Sequence, residues 1–477
     1  MTEAQKIYDF CDEMWERQII PELTEYIKIP AKSPAFDAEW EHHGYMKAAL
    51  DLIENWVRRQ PVTGMQVERI QLPGRTPLLF IEIPGKGDEV VLMYGHMDKQ
   101  PEMVGWNVDL GAWKPLRAGD KLYGRGGADD GYATFASLTA VMALNERGID
   151  HSRVVILIEG CEESGSYDLP FYINHLAARI GTPSLVVCLD SGAGNYDQMW
   201  LTTSLRGLAG GTLNVRVLEE GVHSGDASGI VPSSFRILRN LLDRIEDSST
   251  GRIKVDLLNV DIPADRLRAA KEAANVLGTQ VYDKFPWPAG EQPMSSDLSE
   301  LVLNRTWRPT LSVTGVEGMP TLEDAGNVLR PYTAVKLSVR LPPTLDPVQA
   351  SAKLKEILER DPPYGAKVEF DVEKASQGWA APSLVPWLAD SVDTASKNWF
   401  GTRSAQMGEG GTIPFMGMLQ DRFPQAQFVV TGLLGPKSNA HGPNEFLHIP
   451  TGKKLTAAVA RVIADHYVNR GTPAGAA

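Results

Sequence analysis

The chain has 477 residues, 43% of them hydrophobic and 22% charged, proportions ordinary for a folded protein with room for two or three domains. Its net charge of -13, from 47 basic and 60 acidic residues, lacks the basic footprint that nucleic-acid or anionic-membrane binding requires, so neither partner is expected. The acidic start MTEAQKIYDFCDEMWERQ has no basic-then-apolar leader pattern, and no run of about eighteen apolar residues offers a membrane span. A cytoplasmic location is therefore expected. Three cysteines, Cys11, Cys161 and Cys188, are an odd number without framework spacing; they read as reduced thiols, the latter two as buried fillers.

In chain order, Ile7, Phe10, Met14, Ile19, Ile20, Leu23 and Ile27 recur at helical spacing, with Pro21 expected to interrupt or kink the segment. A second helix is predicted near Tyr45–Arg58. The short apolar runs LLFIEI (78–83) and VVLMY (90–94) read as strands, Ala133–Arg147 as a helix, and VVILI (154–158) and LVVCL (185–189) as strands again. This alternation predicts an α/β layer sandwich around a largely parallel, buried sheet.

The texture changes after about residue 204. Gly211–Val217 and Ala334–Leu341 alternate as half-exposed strands do, and Val368–Val372 is a further strand. Pro232–Asp247 and Pro347–Arg360 read as helices with proline near the first turn. Residues 204–376 are thus predicted to form a separate two-layer α/β domain. The first style then returns, with a helix at Leu384–Trp399, a strand at Phe428–Val430, a closing helix at Leu455–Tyr467 and a frayed tail, GTPAGAA. The economical organisation is one discontinuous domain, 1–203 plus 377–477, interrupted by an inserted one.

Ligand-type side chains fall where the apolar runs stop: His96 and Asp98 after VVLMYG, Glu162 and Glu163 after VVILIEGC, Asp190 after LVVCL, and His441 after FVVTGLLGPKSNA. Ligand sites of open α/β sheets collect at the carboxyl ends of strands. Each residue also has a plainer reading. His96 can simply bond a nearby acid, adjacent glutamates can mark a solvated turn, Asp190 can cap a helix, and His441 can be an ordinary loop histidine. The functional reading has Asp98, two residues on and on the same side, hold the His96 imidazole while its other nitrogen binds metal. One of Glu162 and Glu163 then binds metal and the other faces a water.

The segment LYGRGGADD (122–130) precedes an apolar helix. It lacks the lysine of a phosphate-binding loop, and its paired aspartates carry the wrong charge for phosphate. Asp129 is placed to bridge two cations through its two oxygens. Mixed histidine and carboxylate ligands suit zinc, manganese or cobalt better than calcium. No Gly-x-Ser-x-Gly elbow supports a serine nucleophile.

Together GHMD (95–98), LYGRGGADD (122–130), EGCEESGS (159–166), Asp190, LRG (205–207), HSG (223–225), EGGTIP (409–414) and NAHGPNE (439–445) resemble the co-catalytic zinc peptidases. That family includes carnosinase, cytosolic non-specific dipeptidase, glutamate carboxypeptidase, succinyl-diaminopimelate desuccinylase and aminoacylase; EGCEESGSYDL is most similar to the carnosinase branch. The resemblance implies that Asp129 bridges two metals, that His96 and Asp190 complete one site, and that Glu163 and His441 complete the other. It implies Glu162 as general base, Asp98 as the residue that orients His96, and an inserted lid that also makes a homodimer. His223 is then the oxyanion donor in the partner's active site, Arg340 the grip on a substrate carboxylate, and Gly411 and Thr412 substrate contacts. The implied activity is hydrolysis of the amide bond of a small peptide with a free carboxylate. A deacylase of N-acyl amino acids and a catalytically silent binding protein on the same scaffold are the alternatives. The chain departs from the family at Asp129-Asp130-Gly131-Tyr132, where a lysine is usual at the position of Gly131.

Overall fold

The computed structural model describes residues 2–373 and 375–470; the tail predicted to fray lies outside them. The chain divides into two compact units. One comprises Met1–Thr203, Ala381–Met407 and Met418–Ala477; the other comprises Ser204–Ala380 and Gly408–Gly417.

The first unit is built on a six-stranded sheet in the order Gln66–Ile70, Leu78–Ile83, Arg153–Glu159, Val90–His96, Pro183–Cys188, Gln427–Val430. The last four strands run parallel. The first two enter through antiparallel pairings at one edge, and the sheet is largely parallel as the sequence predicts. Every residue of Val90–His96 is buried, which is why this strand reads as a continuous apolar run instead of an alternation. Helix Ala133–Glu146 is buried without a break from Ala133 to Leu144. It packs with helices Glu3–Met14 and Ile449–Val468, and the latter also holds Pro386–Phe400.

Pro21 does not break the N-terminal helix. A wide π-turn at Trp15–Ile19 precedes it, and Pro21 then occupies the first turn of helix Ile20–Ile27, where its missing N–H costs little. The short edge strand Gln66–Ile70 escapes a pattern search because only Ile70 is buried.

The second unit holds a four-stranded antiparallel sheet, ordered Thr310–Glu317, Tyr332–Leu341, Gly207–Arg216, Lys367–Val372. Along Gly207–Arg216 burial alternates residue by residue, as a sheet covered on one face requires. Helices Ser234–Leu242 and Pro347–Glu359 cover that face, closing a core of Leu213, Val215, Leu241, Val339, Leu354 and Phe370. The stretch Gly408–Gly417 clusters with this unit, whereas the sequence division leaves it with the first. Its reason is polar: the Arg206 Nε donates to the Gly410 carbonyl, and the Thr412 hydroxyl donates to the Arg206 carbonyl at 2.5 Å.

Candidate metal centre

Three neighbouring parallel strands of the first unit deliver acidic and histidine side chains at their carboxyl ends. Val90–His96 ends on His96. Arg153–Glu159 runs into a 3-10 turn, Glu162–Ser164, and Pro183–Cys188 is followed by Asp190. Asp129 comes from the turn Gly127–Gly131 that leads into helix Ala133–Glu146. His441 arrives on the long loop after Gln427–Val430, with its backbone left-handed at φ 65° and its side chain 53% exposed.

These elements assemble two ligand sets that share one residue. His96, Asp129 and Asp190 form one, and Asp129, Glu163 and His441 the other; within each set one ligand atom per residue lies within 4.8 Å of the others. The His96 Nε2 is 3.5 Å from Asp129 Oδ1 and 3.8 Å from Asp190 Oδ2. The His441 Nε2 is 3.0 Å from Asp129 Oδ2 and 3.3 Å from Glu163 Oε2. The two oxygens of Asp129 thus face different histidines.

The donors fit divalent metal ions. Among the described residues, His96 Nε2 and Glu163 Oε1 are buried without a hydrogen-bond partner, an unfavourable state that a bound cation relieves. Electrostatics point the same way. Burial, reinforced by Asp190, holds the Glu162 carboxyl well above its ordinary range, and burial with Asp129 does the same to Glu163. Burial also raises Asp190. Asp129 goes the other way: burial would raise it, but the nearby imidazoles of His441 and His96 overcome that and hold it ionised. Burial opposes the charging of His96, but the carboxylates of Asp129, Asp190 and Asp98 prevail and raise it well above an ordinary imidazole. So many negative groups gathered out of water call for positive charge.

Asp98 does more than the sequence suggests. The His96 Nδ1 lies 3.0 Å from the backbone carbonyl of Asp98 and 3.4 Å from its carboxylate. That carboxylate accepts the amide N–H groups of Glu162 at 3.1 Å and Glu163 at 3.0 Å. It therefore fixes the turn that carries both glutamates as well as one face of the imidazole. Gln100, which sequence reasoning missed, donates to Glu163 Oε2 at 2.6 Å. Asp130 was missed too; it is buried and accepts from the His96 amide at 3.4 Å. Asp130 ends the LYGRGGADD motif and Gln100 follows GHMD by two residues, and neither carries a spacing signal of its own.

The structure also explains Gly131. A Cβ there would overlap the edge of the Tyr26 ring and lie 2.6 Å from the Gly126 carbonyl, so a lysine has no room. Lys99 packs against the same ring. Its buried amino group donates to the carbonyls of Tyr26 at 2.7 Å and Ile29 at 2.8 Å, sits 3.8 Å from the Tyr26 ring centroid, and is pushed well below the ordinary lysine range by burial.

Residues 92–465 match the family model described as peptidase family M20/M25/M40. The chain belongs to that family. As such it is a hydrolase of the metallopeptidase class, as the motif resemblance implies. Among curated relatives, it is 26% identical over 379 residues to the cysteinylglycine-S-conjugate dipeptidase of Corynebacterium striatum, covering 77% of this chain and 79% of that one. It is 25% identical over 490 residues to the Homo sapiens Beta-Ala-His dipeptidase, covering 95% and 91%. The solved structure of the dipeptidase Dug1p from Saccharomyces cerevisiae matches with a TM-score of 0.75 at 21% identity, covering 98% of this chain and all of that one. The shared fold is that of the family, with metal-ligand residues in place. No helix among the described residues is long and apolar enough to cross a membrane.

The remaining predicted residues lie in the second unit. His223 ends a two-residue strand, its side chain exposed and its Nδ1 accepting from the Gly225 amide at 3.1 Å. Arg340, on Tyr332–Leu341, donates to the Thr412 hydroxyl at 3.2 Å. Gly411 is exposed, with open space where a Cβ would stand. The structure thus brings Arg340 and Thr412 together within this unit.

Proposed function

We propose that this metallopeptidase hydrolyses the amide bond of a dipeptide, or of a small peptide with a free C-terminal carboxylate, at a centre for two divalent ions. The observation that carries the reading is Asp129, whose two oxygens serve two ligand sets, His96 with Asp190 and Glu163 with His441. The named activities of the relatives, cysteinylglycine-S-conjugate and Beta-Ala-His dipeptidases, support the substrate class. Zinc suits these ligands, and manganese or cobalt is compatible with them. Ions held there supply Lewis acidity, acidifying a water molecule and polarising the scissile carbonyl.

Glu162 is the general base in this proposal. It neighbours the ligand Glu163, is held in place through the amide bonded to Asp98, and takes a proton from the attacking water. It then returns that proton to the leaving amine. Arg340, steadied by Thr412, takes the substrate carboxylate, and Gly411 lets the backbone approach it. His223, supplied by a second copy of the chain, donates to the developing oxyanion, a role whose loss typically costs about 3 kcal/mol or a hundredfold in rate. A homodimer through the second unit is supported by the edge strand Thr310–Glu317, which exposes Val313 and Val316 and leaves one side of its backbone ladder open.

A metal-supplemented assay over dipeptides, N-acetyl amino acids and N-succinyl amino acids tests the substrate class. Dipeptides are expected to be cleaved fastest. Faster release from the acylated amino acids would assign the chain to the deacylases, and no turnover across the panel would leave a silent binding protein.

A further inference from the structure

The loop that carries His441 is tied within itself by the Asn439 Nδ2, which donates to the Pro443 carbonyl, and by the Gly442 amide, which donates to the Asn439 carbonyl at 2.9 Å. The histidine is more than half exposed, and Asn439, His441 and Asn444 all adopt left-handed backbone, with φ of 56°, 65° and 62°. Side chains at such positions persist only where their surroundings over-determine them. Asn444 Oδ1 accepts the Asn107 amide at 2.8 Å, and one buried ion pair ties this loop to the glycine-rich turn. The Arg125 side chain is 1% exposed and that of Glu445 is fully buried, and they meet through Arg125 Nη1 and Glu445 Oε2.

Each partner also binds the backbone of the other's loop. The Arg125 Nη2 donates to the Gly442 carbonyl at 2.8 Å, one residue beyond His441, while its Nε donates to the Pro101 carbonyl at 3.2 Å. In return, Glu445 Oε1 accepts the Gly126 amide at 2.8 Å, and the Glu445 carbonyl accepts the Gly124 amide at 3.0 Å. Gly124 and Gly126 belong to the glycine-rich turn that ends in Asp129. Arg125 and Glu445 therefore clamp the loop of His441 to the loop of Asp129. His96 and Asp190 are placed without the clamp, His96 as the last residue of Val90–His96 and Asp190 just after Pro183–Cys188.

We infer that Arg125 and Glu445 are positioning residues for one metal ion of the pair, the ion held by Asp129, Glu163 and His441, and that they set its affinity apart from that of the other. This rests on the two-ion reading above. Outer residues that orient metal ligands typically change affinity by about 10- to 100-fold when altered. Asp129 serves both ligand sets but also rests on the turn Gly127–Gly131 that leads into helix Ala133–Glu146, whereas His441 serves one set alone, so the effect falls on the ion that His441 holds.

The test is calorimetric titration of Mn2+ into the metal-free full-length chain, followed by electron paramagnetic resonance at two equivalents of Mn2+. Wild type is expected to take two ions per subunit and to show a spin-coupled pair. Glu445→Gln keeps an acceptor for Gly126 but loses the charge. Arg125→Lys keeps the buried charge but cannot reach Gly442 and Pro101 together, and it carries the test if Glu445→Gln does not fold. Each variant is expected to keep one ion at wild-type affinity, to bind the second about 10- to 100-fold more weakly, and to show a single-ion spectrum below saturation. His441→Ala gives the reference for direct loss of the same ion. Two ions at wild-type affinity in both variants would overturn the inference. Equal weakening of both ions would overturn it as well, because a general loss of structure then explains the result. A wild-type chain that takes fewer than two ions would instead overturn the two-ion reading itself.

Discussion

Replacing Gly131 with alanine adds one methyl group where the structure has none to spare. Gly131 does not occupy the left-handed region, so the penalty is steric. The new Cβ would meet the edge of the Tyr26 ring and the Gly126 carbonyl. Tyr26 cannot swing clear at low cost. It is fully buried, its hydroxyl donates to the Met97 carbonyl at 2.9 Å, and the Lys99 amino group rests on its face. Overpacking of this kind costs about 1–3 kcal/mol, and loss of the Tyr26 hydrogen bond adds about 1 kcal/mol. A destabilisation of about 2–4 kcal/mol corresponds to a drop in melting temperature of roughly 3–7 °C for a unit of this size. Met97 lies between His96 and Asp98, so the displaced ring also disturbs the metal ligands and activity should fall with stability. Differential scanning calorimetry of the metal-free protein measures the first effect. A cycle with Tyr26→Leu isolates its cause: without the ring edge, the added methyl should cost less by about 1 kcal/mol or more. An unchanged melting temperature for Gly131→Ala, or the same penalty in the Tyr26→Leu background, would refute the argument.

Three further outcomes are expected. Glu162→Gln should retain both ions, measured by elemental analysis, while kcat falls about 10²- to 10⁴-fold; activity equal to wild type would remove Glu162 from the base role. Asp98→Asn turns one of two carboxylate acceptors into an N–H donor facing the amide of Glu162 or Glu163, and losing a charged hydrogen bond costs about 1.5–3 kcal/mol; metal affinity and kcat should both drop, whereas a pure loss of kcat at unchanged affinity would confine Asp98 to the base. Arg340→Lys should raise KM for dipeptides about tenfold or more and leave amidated substrates little affected; equal losses on both would show that Arg340 does not read the terminal carboxylate.

Much of this molecule is legible in one dimension because the signals are local. The strands Val90–His96 and Arg153–Glu159 are buried on both faces, so they read as unbroken apolar runs, and ligand-type residues at their ends stand out against them. The antiparallel edge strand Gln66–Ile70 was not legible, since it buries almost nothing. Nor was the allegiance of Gly408–Gly417, which follows bonds from Arg206 and Thr412 across some two hundred positions of chain.

The amino-acid sequence by itself determined the α/β class, the interrupted chain organisation it proposes, and which acidic and histidine side chains were available to a metal, because periodicity and chain-end chemistry need no partner to be seen. The motif resemblance implied their division into two sets around Asp129, and the tertiary structure brought the ligand atoms of each set within 4.8 Å of one another. Tertiary packing alone showed that Asp98 serves the turn of Glu162 and Glu163, that Tyr26 excludes a side chain at position 131, and that Arg125 reaches Glu445, 320 positions further along the chain. Each of these depends on distances between atoms far apart in the chain, and the free energies involved belong to the packed interior, where a missing hydrogen bond or an added methyl can no longer be made good by water.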